Sequence, residues 1–356
     1  MGRFFLLLCL KSLLLQSKPN EMTLEELKKT LSQASQVFIL TDENVAMFWL
    51  PETKHWLGCN HTVEIVLKPG EKYKTLPTAQ RIWKTLMKHH ADRQAVMVNL
   101  GGGVITDLGG FVASCYHRGI RFLNIPTTLL AMVDAAIGGK TGVDFSGCKN
   151  QIGTFAEPLE VWISPIYLST LPHREILSGV AEMMKYGFIA HPPMLKVNPD
   201  NYQEYLLAAG KIKREIVAKD YKEQGFRKVL NFGHTLGHAI ESHSFTKDNP
   251  LLHGEAVALG MGAALWLSVQ LCHLDEKVLH DFERQLPILL SEAETKLDVV
   301  DIEPVMRYLA HDKKNKDGKE QFVLIEAPGR PVLDVEVGSE KVREALAYII
   351  NKVYSL

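Results

Sequence analysis

Residues 95–107, Ala95-Val-Met-Val-Asn-Leu-Gly-Gly-Gly-Val-Ile-Thr-Asp107, pass from a short apolar run through three glycines into a helical pattern. A strand that ends in glycines and turns into a helix brings backbone amides to a helix N-terminus, where they can hold a diphosphate. The run is neither the GxGxxG fingerprint nor a P-loop, which needs Lys and Ser/Thr at fixed offsets. On its own it also suits a tight turn. Asp107 falls about one turn into the helix, placed to cap it or to accept from a ligand hydroxyl.

Upstream, Val37-Phe-Ile-Leu-Thr-Asp42 is an apolar run with an acidic end, and Val63-Glu-Ile-Val-Leu67 alternates before Lys-Pro-Gly. Both read as strands, with helical spacing from Leu76 to His89 between the second of them and the glycine run. Downstream, a helix from Val104 to Cys115 is followed by Arg118 in a connection and a strand from Arg121 to Ile125. Strands alternating with helices predict a parallel sheet that binds ligands at its strand ends. From about residue 170 the patterns become helical, at 174–189, 203–222, 230–243, 254–274 and 302–312, with a hairpin-like tail at 321–325 before Pro-Gly. The expected fold is an α/β N-terminal nucleotide-binding domain with a parallel-rich sheet (22–170) and an all-helical C-terminal metal and substrate domain (171–356).

Composition narrows the function. A length of 356 residues suits two domains. With 40 basic against 41 acidic residues, no net charge steers the chain to nucleic acid. Five scattered cysteines without a CxxC build no disulfide framework and fit a reducing cytoplasm. Residues 4–15 resemble the apolar core of a signal peptide, but Lys11 interrupts them, no small-x-small site follows and the run is too short to span a bilayer. Residues 1–21 are therefore read as an atypical leader outside the fold, or as sequence preceding a true start at Met22, and no membrane partner is expected.

The helical half carries Asn231-Phe-Gly-His-Thr-Leu-Gly-His238 and His253-Gly-Glu255. Two histidines four apart share a helical face. With a third histidine, or with Glu182 of Gly179-Val-Ala-Glu-Met-Met-Lys185, they supply N and O donors for a catalytic metal that keeps one position open. Structural histidines near helix ends would show the same spacing. A second glycine-rich stretch, Asp134-Ala-Ala-Ile-Gly-Gly-Lys140-Thr-Gly142 with Lys149-Asn150 behind it, reads as a polar loop whose two lysines serve one small anion, or as a solvated surface loop. Thr127 and Thr128 offer hydroxyls between the glycine regions. Glu71 and Lys74 read by themselves as solvated charges.

Taken together, GExxK at 70–74, GGGVxxD at 101–107, Arg118-Gly119, PTTLLAxVD at 126–134, GGKTG at 138–142, Lys149-Asn150, AExxKYG at 181–187, NFGHTxGHAIE at 231–241, HGE at 253–255 and DKKN at 312–315 closely resemble the 3-dehydroquinate synthase family of the sugar phosphate cyclases. The resemblance implies metal ligands at Glu182, His234 and His253, which moves His238 from the metal to the substrate pocket. It implies NAD contacts at Asp42, Asn44, Glu71, Lys74, Gly102, Gly103, Asp107, Thr127, Thr128, Lys140, Lys149, Leu168 and Thr170. Substrate residues would be Asp134, Lys140, Asn150, Lys185, Lys213, Arg227, Asn231, His238 and one of Lys313 or Lys314, with Arg118 reaching the neighbouring site of a homodimer. The implied activity is that of a cytoplasmic phosphorus–oxygen lyase of the shikimate pathway of aromatic amino acid biosynthesis. It converts 3-deoxy-D-arabino-heptulosonate 7-phosphate to 3-dehydroquinate and phosphate with NAD+ and Zn2+ or Co2+. Its steps are transient oxidation, elimination, re-reduction, ring opening and aldol closure. Another NAD- and metal-dependent cyclase, or a metal-dependent polyol dehydrogenase, would share much of this pattern. Thr106 departs from it, since the family usually has glycine there.

Overall fold

The computed structural model describes residues 22–59, 61–146, 148–310 and 320–354, so the leader and the Asp312–Asn315 motif with Lys313 and Lys314 lie outside the described residues. The chain divides between Leu171 and Pro172 into two compact units.

In the first unit, α1 (Leu24–Ser32), β1 (Val37–Asp42), α2 (Glu43–Leu57), β2 (Thr62–Leu67), α3 (Leu76–Lys88), β3 (Val96–Gly101), α4 (Gly103–Cys115) and β4 (Arg121–Pro126) build a four-stranded sheet of order β2-β1-β3-β4, with every pair parallel. β1 and β3 are buried almost throughout because helices cover a parallel sheet on both faces, which is why they read as continuous apolar runs. β2 lies at the edge and is more exposed. In α3, Thr75 caps the N-terminus and Ala79, Ile82 and Leu86 turn inward at helical spacing. The order reverses between β1 and β3, so the switch point where such sheets bind ligands lies between Asp42 and the Gly101–Gly103 turn.

Two features correct the sequence reading. The stretch expected to be a polar loop is an antiparallel hairpin, β5 (Lys140–Phe145) and β6 (Cys148–Phe155). Lys140 pairs with Phe155 at its open end, and Lys149 follows Cys148 near its tip. Helix α2 gave no clean signal because Pro51 interrupts its interior.

The second unit contains α5 (His173–Ile189), α6 (Tyr202–Lys219), α7 (His234–Ser244), α8 (His253–Cys272), α9 (Glu276–Glu283), α10 (Leu286–Leu289), α11 (Ile302–Ala310), the antiparallel hairpin β7 (Glu320–Ala327) and β8 (Arg330–Val337), and α12 (Ser339–Tyr354). α8 is long and apolar enough to cross a membrane, yet it is mostly buried against α5, α7, α12 and β7 as the central helix of this unit. The helix expected from residue 230 starts at His234. Residues Phe226–Asn231 form a 3-10 turn, and Gly233 takes a left-handed φ of 76° that ends it and opens α7.

Candidate metal and nucleotide sites

In the second unit, α7 carries His234, His238 and Glu241 at i, i+4 and i+7, one face of the helix. His253 opens α8 opposite that face, and the ring nitrogens of His234, His238 and His253 lie within 4.8 Å of one another. Glu182, wholly buried on α5, places Oε1 3.3 Å from His234 Nε2 and 3.5 Å from His253 Nε2. His238 is the exposed member of the group, with its ring centroid 5.2 and 5.7 Å from those of His234 and His253.

Proton bookkeeping shows what this arrangement accepts. His234 Nδ1 lies 3.1 Å from the Phe232 carbonyl and His253 Nδ1 lies 3.2 Å from Glu241 Oε2. Each of those oxygens only accepts, so both Nδ1 atoms donate, and each Nε2 offers a lone pair whenever its ring is neutral. Two nitrogen lone pairs and a carboxylate oxygen then face one another, and neither oxygen of Glu182 finds a well-aligned hydrogen bond. A proton shared with His253 or a bound cation satisfies such a set. A tetrahedral ion with bonds of 2.0–2.1 Å would set its donors roughly 3.3–3.4 Å apart, close to the spacing here. The donor set therefore fits a divalent metal. Electrostatics agree: burial pushes Glu182 up, but Lys185, with Nζ 2.5 Å from Oε2, and His234 more than offset it and hold the carboxyl well below the usual range. His234 is lowered by burial and by Lys185. For His253, burial is outweighed by Glu241 and Glu182, which push it up to about 10.

The residues that place His253 are its two motif neighbours, Gly254 and Glu255, together with Arg174 and Ser178 of α5, which lie outside the motifs. Arg174 on α5 donates through Nε and Nη2 to the two oxygens of Glu255, each at 2.7 Å, and Glu255 Oε2 accepts from the Leu252 amide at 2.7 Å to cap α8. Gly254 sits where the α5 backbone presses closest: a Cβ there would lie 2.0 Å from the Ser178 carbonyl oxygen, and its amide donates to Ser178 Oγ at 3.0 Å. Each residue of the HGE motif thus has its own task, a donor ring, a close approach and a cap.

Other expected substrate residues of this unit lie on neighbouring elements. Lys213 on α6 and Arg227 are buried. Asp220 organises the turn carrying Arg227 by accepting from the amides of Gln224, Gly225 and Arg227 at 3.0, 2.7 and 3.0 Å. Asn231 Nδ2 donates to Glu223 Oε1 at 2.7 Å.

In the first unit Asp42, Gly102 and Gly103 flank the switch point, Glu71, Lys74, Thr127 and Thr128 follow the ends of β2 and β4, and Lys140 and Lys149 lie on the β5–β6 hairpin. Asp42 ends β1 and caps α2, accepting from the amides of exposed Asn44 and of Val45. Gly102 and Gly103 open α4, the Thr127 amide donates to Gly101 O, and Thr128 Oγ1 accepts from Ala131 N. Thr106 is buried and its hydroxyl donates back to the carbonyls of Gly103 and Gly102, so the departing residue is occupied by its own helix. Lys74, only 3 % exposed, donates to Asp107 Oδ2 at 2.7 Å and Asn150 Oδ1 at 2.6 Å, with Glu71 at 3.6 Å. The ordinary reading of Lys74 as a solvated charge is corrected by this burial. Lys149 lies 3.4 Å from Glu71, Asp134 is half-buried in the turn Ala131–Ala135, Leu168 is buried, and Thr170 accepts from Trp49 Nε1. Arg118 is exposed on a surface pocket of about 560 Å³ with Arg93 and Arg121, and His117, Arg118 and Gly119 take successive φ values of 51°, 66° and 118°.

A parallel sheet with a glycine turn at its switch point and a helical unit with a Glu-His-His donor set together define a class of nucleotide- and metal-dependent enzymes. The sequence pattern described as 3-dehydroquinate synthase N-terminal matches residues 64–178, and that described as 3-dehydroquinate synthase C-terminal matches residues 179–315. The 3-dehydroquinate synthase of Clostridium tetani is 38% identical over 328 residues, 89% of this chain and 86% of its own length. Among solved structures, 2-epi-5-epi-valiolone synthase from Streptomyces hygroscopicus with NAD+ and Zn2+ bound superposes with a TM-score of 0.78 at 26% identity, covering 89% of this chain and 92% of its own. A 2-deoxy-scyllo-inosose synthase shares the fold at TM-score 0.80 and 23% identity, covering 92% and 95%. The chain belongs to the 3-dehydroquinate synthase family, within the sugar phosphate cyclases.

Proposed function

We propose that the protein converts 3-deoxy-D-arabino-heptulosonate 7-phosphate to 3-dehydroquinate and phosphate, with NAD+ and one divalent ion, Zn2+ or Co2+, as cofactors. The observation that carries the chemistry is the convergence of Glu182 Oε1 with the Nε2 atoms of His234 and His253 in a pocket that fits a cation. The identity to curated 3-dehydroquinate synthases over nearly the whole chain supports this substrate over those of other cyclases. When bound, NAD supplies a hydride acceptor that is regenerated within the cycle, and the ion polarises substrate oxygens.

The chain's own residues bind, orient and move protons. Lys185 keeps Glu182 ionised and offers a buried cation to an anionic substrate, and Arg227 offers a forked donor set for carboxylate or phosphate. His238, exposed beside His234 and His253, is placed to hand protons between solvent and a substrate oxygen at the donor set. Lys74 takes Asn150 Oδ1, which leaves Asn150 to present its amide N–H to a ligand. Elimination of phosphate needs a base, and the substrate's own phosphate supplies one. Asp134, Lys140, Lys213 and Asn231 complete the proposed substrate set. The proposed nucleotide set is Asp42, Asn44, Glu71, Lys74, Gly102, Gly103, Asp107, Thr127, Thr128, Lys140, Lys149, Leu168 and Thr170. We further propose a cytoplasmic homodimer in which Arg118 serves the neighbouring site.

A coupled assay of phosphate release and 3-dehydroquinate formation tests this reading, with His253→Ala as the comparison. Equal amounts of both products without net NADH, lost in the variant, are expected. No turnover by folded, metal-loaded protein sinks the substrate assignment, and turnover of other sugar phosphates would redirect it to a related cyclase. Net NADH from simple polyols would point to a dehydrogenase instead.

A further inference from the structure

Glu241 is a buried carboxylate that none of the steps above uses, 3 % exposed on the α7 face that carries His234 and His238. Its Oε2 lies 3.2 Å from His253 Nδ1, and its position is fixed by the same helix that fixes His234. Nothing about a merely structural glutamate requires it at i+7 from one donor and in contact with another. We propose that Glu241 is a positioning residue of the metal site, which holds His253 as the Nδ1–H tautomer, aims Nε2 at Glu182 and strengthens that nitrogen as a donor. This rests on the reading of Glu182, His234 and His253 as the metal set.

Two physical reasons support it. A carboxylate accepting from the far nitrogen of a ligating imidazole fixes both tautomer and ring angle and makes the ring more basic. Charge also favours it: with both histidines neutral, Glu182 and Glu241 set two negative charges against those of a divalent ion. Without Glu241 the ring of His253 can rotate or change tautomer, and the buried charge rises by one. His234 has no such carboxylate at Nδ1, where it bonds the Phe232 carbonyl. The two histidines are therefore unequal donors, with His253 the stronger.

The test is titration of metal-free protein with Co2+, read both by competition with a chromophoric chelator and by the visible d–d bands of the bound ion. Wild type is compared with Glu241→Gln, which keeps an acceptor oxygen but not the charge, with Glu241→Ala, and with His253→Ala. Glu241→Ala is expected to weaken Co2+ binding by about 100-fold and Glu241→Gln by about tenfold, each with altered d–d bands. Affinity and bands identical to wild type in the folded variants overturn the inference. If the alanine variant fails to fold, the glutamine variant decides alone. Failure of the underlying reading looks different: wild type then binds no stoichiometric Co2+, or His253→Ala binds it as well as wild type does.

Discussion

Arg174 grips Glu255 through two parallel hydrogen bonds of 2.7 Å across 81 positions of sequence. Glu255 is 1 % exposed, so its charge depends on this one forked partner and on the α8 amide that it caps. Breaking such a pair leaves a carboxylate uncompensated, discounted here because Arg174 is itself about a quarter exposed. Arg174→Ala is expected to lower stability by about 2–3 kcal/mol and Arg174→Lys, which keeps charge but not the fork, by roughly half that. Urea unfolding of the metal-free protein measures both; equal midpoints for wild type and Arg174→Ala would refute the role.

The contact of α5 with α8 leaves no room at Gly254. Gly254→Ala drives a methyl into the Ser178 carbonyl, and the helices must part by overpacking that costs about 3 kcal/mol. Because His253 is the adjacent residue, Co2+ affinity should fall alongside the thermal midpoint. A variant with native affinity would show that the donor ring is placed independently of this contact.

Lys74 and Asp107 should behave as one unit. Burial and Asp107 act in opposite directions on the Lys74 ammonium, and its acidic neighbours win, so it stays charged. Lys74→Met is expected to cost about 3 kcal/mol, and the double variant with Asp107→Asn to be more stable than the sum of the singles by about 1–3 kcal/mol. Strict additivity in denaturant unfolding would show that the pair is not coupled. Lys74→Met should also weaken NAD+ binding, read by quenching of protein fluorescence.

Acid should strip one anchor from the second unit in a defined direction. Burial pushes Asp301 up, but Lys247 at 2.9 Å, the Asp298 amide and His243 at 2.7 Å outweigh it and hold the carboxyl below its ordinary value of 3.8. A carboxyl lowered by folding stabilises fully above its unfolded pKa and loses that contribution as pH falls through the lowered value. Asp301→Asn is thus expected to be less stable than wild type by about 1 kcal/mol at neutral pH, with the gap closing below about pH 4. Parallel midpoint curves from pH 7 to 3 would contradict this.

Much of this molecule could be read before it was seen. The sheet was legible because β1 and β3 are covered on both faces and spell nearly continuous apolar runs, with Asn99 the polar residue inside β3, while the Gly101–Gly103 turn marks where β3 meets its helix. The histidine cluster was legible from spacing, and Glu241 carried the same signal at i+7. What escaped depends on tertiary packing. The β5–β6 hairpin hides in a glycine-rich stretch that looks like a loop, and the start of α7 is hidden because Val229, Leu230 and Phe232 continue the helical period that Gly233 breaks. The burial of Lys74 and the Arg174–Glu255 pair arise between segments distant in sequence, and no local pattern encodes them.

The left-handed run at His117 and Arg118 sets a trap for anyone who would make this protein hardier. Residues with side chains pay about 1–2 kcal/mol each to stand in that conformation, so glycine at either position is an inexpensive route to a higher melting temperature. At position 118 the same change would remove the arginine proposed to serve the neighbouring site. Selection for thermal tolerance and selection for turnover therefore pull in opposite directions on this one short turn.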